Sequence, residues 1–115
     1  MVTEDLDREA ALLLKMEIDS YYGGAVVYDR YPGVEYGRKF APTSNPVDTR
    51  ALVQAVKEKG WRFVLTDTGE SAAAQCDRDN WTLMHYYRAI PTEDGPNYDL
   101  VATTRACVAA LKEAQ

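Results

Sequence analysis

At 115 residues, 46% of them hydrophobic and 27% charged, the chain has room for one hydrophobic core and not for two, so residues 1–115 are expected to form a single domain. No apolar run approaches the roughly 20 residues that a helical membrane span needs. The net charge of −5 works against general binding to a phosphate backbone, while leaving room for a local basic pocket or for mimicry of a nucleic acid.

In chain order, residues Thr3 to about Asp19 carry Leu6, Ala10, Leu13 and Leu14 at helical spacing, with Glu4, Asp5 and Asp7 near the positive end of the dipole. The same stretch has acidic residues and no basic leader before its short apolar run, unlike a secretory signal. A short irregular β segment is expected next: Ala25 to Tyr28 as a strand and Tyr31-Pro32-Gly33 as a turn, followed by loop from Val34 to Asn45. The second helix is the best punctuated, over about Pro46–Lys59. Asn45 or Ser44 can cap it, Pro46 suits the first position, Asp48 favours the dipole and Gly60 ends it.

After Gly60 the period changes from helical to two. Trp61, Phe63 and Leu65 share one face of a strand, and Arg62, Val64 and Thr66 the other. Turns at "DTGE" and "DRDN" separate it from "SAAAQC" and from a long third strand, "WTLMHYYRAI", in which alternation buries half of the aromatic group Trp81, Tyr86, Tyr87. "PTEDGPN" reads as a loop, and Tyr98 to the end as an Ala-rich helix. The expected fold class is α+β: an antiparallel three-stranded β-meander packed by helices, an α/β sandwich.

Signatures for chemistry are few. Cys76 and Cys107 belong to no CxxC or Cys/His cluster and read as free thiols, with no metal site or cofactor expected. Asp67-Thr68-Gly69 after an apolar strand looks like the triplet of retroviral-type aspartic proteases, but Glu70 stands where those enzymes have a small residue, and turn chemistry explains Asp67 and Gly69 as well. His85 has no neighbouring partner for metal or nucleophilic chemistry. No catalytic residue is therefore assigned, and the chain is read as a non-enzyme.

The remaining signal is aromatic. Residues 21–40 hold five of the eight tyrosines, close to several basic side chains. Tyrosine offers rigid, flat area with a hydroxyl, and guanidinium groups contact carboxylates or phosphates. Arg30, Tyr31, Tyr36, Arg38 and Lys39 are the candidate binding residues, with an exposed sheet face as a second surface. Tyr36→Ala and Arg38→Ala are expected to weaken partner binding at nearly unchanged melting temperature.

The Asn45-Pro46 entry, the helix ending in "KEKGW", the three-strand meander and the terminal "ATTRACVAALKEA" around Arg105 together resemble the phage ABA sandwich domain family. The resemblance implies a protein encoded by a phage or prophage, acting in the bacterial host's cytoplasm and usually without an assigned reaction. Small accessory phage proteins often act by binding, which leaves two main readings. One is a counter-defence inhibitor of a host protein complex; the other is a sponge for a nucleotide-like small molecule, assembled as a homo-oligomer. The aspartic protease is a remote third.

Overall fold

The computed structural model describes residues 2–19, 24–31 and 34–113; the side chains of residues 2, 19, 28–31 and 34–36 lie outside that description. The elements are α1 (Val2–Leu13), β1 (Ile18–Asp19), β2 (Gly24–Tyr31), β3 (Val34–Lys39), α2 (Pro46–Glu58), β4 (Arg62–Asp67), β5 (Ala72–Arg78), β6 (Leu83–Ala89), α3 (Pro91–Asp94) and α4 (Tyr98–Glu113). The fold is α+β, with β4, β5 and β6 an antiparallel meander in that order. α4 packs on β5 and β6, with α1 and α2 beside it, so all three long helices cover one face.

Small residues set that packing. Ala72, Ala74 and Cys76 point from β5 towards Ala102, Ala106, Cys107 and Ala110 of α4, and all seven are fully buried. Short side chains let helix and sheet approach closely, and larger groups close the margins: Leu52 and Val56 from α2, Phe40, Trp61 and Leu111. A hydrogen bond between the two thiols, and then burial, push the Cys107 pKa far up, so it stays protonated at any physiological pH.

Several boundaries differ from expectation. Helix α1 stops at Leu13, six residues early, because Lys15 takes a left-handed φ of 60°. Met16 N–H then reaches Ala11 C=O and Lys15 N–H reaches Leu12 C=O, both at 3.0 Å. This is a Schellman closure with lysine where glycine is usual. Residues Val34–Lys39, expected as loop, form β3, which pairs along β2 from Val26↔Lys39 to Tyr31↔Val34. The stretch Pro91–Asp94, also expected as loop, makes one helical turn.

The β2–β3 hairpin is rooted by Ala25 and Phe40, both buried, and β2 also packs on α1 and β1. Buried polar contacts fasten the chain beyond it. Asp7 of α1 accepts from the Thr43 amide and hydroxyl, each at 2.9 Å. Asp48, in the first turn of α2, accepts from the Ala41 amide at 2.9 Å. Asn45 caps α2 as expected, its side chain accepting from Val47 N–H at 2.9 Å.

Candidate functional site

Helices cover one face of the β4–β5–β6 sheet; the register puts Arg62, Val64 and Thr66, then Ala73, Gln75 and Asp77, then Met84, Tyr86 and Arg88 on the other. No described element packs there. Val64, Met84 and Tyr86 are 42%, 48% and 58% exposed, and Trp81, in the turn before β6, is 55% exposed. Grouped large apolar side chains on a rigid sheet are unusual for a surface with no partner.

The polar residues of this face are organised rather than loose. Asp77 is sunk between the strands and accepts from Arg62 Nε at 3.0 Å, Arg62 Nη2 at 3.1 Å and Gln75 Nε2 at 2.8 Å. Burial pushes its carboxyl up, but the bonds from Gln75 and Arg62 and the charge of Arg62 outweigh this and hold it below the ordinary value. The Arg62 guanidinium carbon lies over the Trp81 ring, 4.8 Å from its centre, a cation–π contact. Arg88 donates to Ser71 Oγ at 3.3 Å. With Asp77 offset by Arg62, Arg88 leaves these strand rows positive on a chain of net charge −5.

The turn that presents Trp81 is strained. Asp79, Asn80 and Trp81 have successive φ values of 54°, 55° and 65°. Asp and Asn tolerate the left-handed region; an indole does not, and such an outlier costs on the order of 1–3 kcal/mol. What the strain achieves is placement: Trp81 leaves the strand expected for it, and the Arg62 guanidinium sits over its ring.

Among the residues singled out by sequence, Arg38 and Lys39 end β3. Arg38 is engaged by Asp48 in a fork, Nη1 to Oδ2 at 2.7 Å and Nη2 to Oδ1 at 3.0 Å. The Lys39 stem crosses Gly24, where a β-carbon would come within 2.8 Å of Lys39 Cε. Lys39 borders a cleft of about 320 Å³ that also holds Thr43, Ser44 and the carboxylates of Glu4, Asp7 and Asp94. The side chains of Arg30, Tyr31 and Tyr36 lie outside the described residues, as do Tyr21, Tyr22 and Gly23 entirely.

Asp67 serves the β4–β5 turn. Its carboxylate accepts from Gly69 N–H at 2.9 Å and from the Tyr98 hydroxyl at 2.8 Å, and the latter bond, with burial second, pushes the Tyr98 pKa up. His85 Nε2 pairs with the Glu113 carboxylate at the end of α4, and its ring leans on Trp61 with centroids 5.5 Å apart. Among the described residues, no group of three or more His, Cys, Asp or Glu is placed to hold a metal ion.

The chain matches no protein-family model, no curated protein and no solved structure. The open face therefore stands on its own chemistry. Sequence alternation had already put Arg62, Val64 and Thr66 together; it did not single out Met84, Arg88 or the Trp81–Arg62 stack. The stack depends on backbone angles in a turn, which no side-chain period encodes.

Proposed function

We propose that this chain is a non-enzymatic binding protein that docks a protein partner on the open face of the β4–β5–β6 sheet. The observation that carries the reading is the patch of Val64, Met84, Tyr86 and Trp81, with Trp81 held in a costly backbone conformation against Arg62. Tryptophan, tyrosine and arginine are the residues in which interface energy concentrates. An uncovered apolar centre beside Arg88, the charge of these strand rows that Asp77 does not offset, suits a partner whose own apolar spot is rimmed by Asp or Glu.

The finer reading follows from the resemblance to phage ABA sandwich domains: an accessory protein of a phage or prophage that inhibits a host protein complex, acting in the host cytoplasm. Among the described residues no helix is long and apolar enough to cross a membrane. The nucleotide-sponge reading draws less support, because three carboxylates share the cleft beside Lys39 and would repel a phosphate.

The test is capture from host lysate followed by native mass spectrometry, with wild type beside Tyr86→Ser and Met84→Ser. Loss of a captured acidic-surfaced protein in both variants, at unchanged melting temperature, is the expected result. A partner retained by both variants, or a small mass carried by the protein and released on denaturation, would overturn the open-face reading.

A further inference from the structure

Strand β4 has β5 on one side and no described strand on the other. Its side chains lose cover along its length on the helix side, from Trp61 at 3% exposure through half-buried Phe63 to Leu65 at 40%, while Val64 is exposed on the open side. The segment Arg62-Phe63-Val64-Leu65-Thr66 has no lysine, proline or bulge, devices by which edge strands avoid pairing, and its one charge, Arg62, is bonded to Asp77 of β5. It also carries no net charge through Asp67, in a chain of −5.

The ladder with β5 fixes which backbone groups of β4 are available. Thr68 N–H donates to Ser71 C=O at 3.0 Å, and Asp67 stands opposite Ala72. Bonded and non-bonded pairs alternate in an antiparallel ladder, so Thr66, Val64 and Arg62 exchange bonds with β5. Phe63, Leu65 and Asp67 turn their N–H and C=O outward, without partners in the ladder.

We propose that a second copy of this chain pairs antiparallel along β4, with Val64 opposite Val64 of the second copy, Phe63 opposite Leu65 and Arg62 opposite Thr66, giving a continuous six-stranded sheet. Only Phe63, Leu65 and Asp67 offer outward groups, so only registers that set odd residues against odd residues form bonds. Opposed side chains point to the same face, so that restriction makes the two open faces adjoin. In the chosen register no like charges meet: Arg62 faces Thr66, and Asp67 faces Trp61. The well-covered end of each β4 lies beside the bare end of the other, which brings Phe63 over the exposed Leu65. The opposite edge, β6, is less open, because Leu6 and Glu9 of α1 share a groove with its His85 and Tyr87.

Hydrogen exchange read residue by residue, at micromolar and millimolar protein, together with sedimentation, tests the joint. The amides of Val64 and Thr66 should be protected at both concentrations, and those of Phe63 and Leu65 should slow by at least about tenfold at the higher one as a dimer forms. Leu65→Pro removes an outward N–H and leaves the β4–β5 ladder alone, so it should abolish the dimer with Val64 still protected. If that variant fails to fold, Leu65→Lys places a charge on the edge and should likewise give a folded monomer. A wild type that is monomeric at millimolar concentration, free exchange at Phe63 and Leu65 throughout, or a dimer that survives both variants overturns the proposal.

Discussion

Arg38 illustrates how one contact changes the meaning of a residue. As an exposed loop guanidinium it would be available for a partner and dispensable for folding. Clamped to Asp48, whose side chain is 4% exposed, it neutralises a nearly buried charge. Breaking a fully buried pair costs about 3–5 kcal/mol; Arg38 keeps 24% of its side chain in water, so Arg38→Ala should cost on the order of 2 kcal/mol. Urea unfolding measures this directly, and a variant as stable as wild type would show that solvent screens the pair. The expectation of an unchanged melting temperature for Arg38→Ala is revised accordingly. Trp81 has the opposite character. Trp81→Gly relieves a left-handed φ but loses the stack on Arg62, worth about 0.5–1 kcal/mol at an exposed site. Stability should stay level or rise by up to about 1 kcal/mol, while partner capture falls. A thermal melt beside the capture assay separates the two effects.

Among the elements, α2 and the meander were legible because their signals are local. Asn45, Pro46, Asp48 and Gly60 punctuate the helix, and the odd and even residues of β4 fall on the two faces that alternation assigns. β3 was not legible. "VEYGRK" mixes charge, glycine and aromatic residues without alternation, and it becomes a strand by adding to β2 rather than by its own propensity. The end of α1 was missed because its closing residue is Lys15, not glycine. That misfit makes a prediction: Lys15→Gly adopts the same φ without a β-carbon penalty and should raise stability by about 0.5–1 kcal/mol. A lowered chemical denaturation midpoint would mean that the lysine stem contributes more by packing than its backbone costs. At the candidate site, alternation exposed half of the face, while the strained turn and the cross-strand network around Asp77 needed the register.

At the scale of the whole molecule, two aspartates give acid stability opposite signs. Asp77 is held below its ordinary pKa of 3.8, so its contribution is present above that value and is lost as pH falls towards the lower folded one. Asp7 is raised above 3.8, by burial first and against the bonds from Thr43. Its folded form takes up a proton more readily than the unfolded chain, so its share of stability falls as pH climbs from 3.8 through the raised value. Unfolding free energies measured across acid pH should therefore fall less steeply below about pH 4 in Asp77→Asn than in wild type. Asp7→Asn should instead remove a decline above that pH, so stability there should rise more, or fall less, with pH than in wild type. Identical slopes in wild type and Asp77→Asn would remove the network around Asp77 as a source of acid sensitivity. A radius of gyration of 14.4 Å, against about 13 Å for a compact chain of this length, fits a body longer in one direction, 46 × 33 × 28 Å.

The two thiols between α4 and β5 offer a built-in clock. Neither Cys76 nor Cys107 can meet a water-borne reagent while the alanine-lined joint is closed, so alkylation must wait for that helix to lift. Under native conditions the labelling rate of each cysteine should equal the frequency of that opening once reagent is in excess, and both should react together. If Cys107 is modified well before Cys76, α4 does not lift as a unit: it unwinds around Cys107 while β5 stays covered.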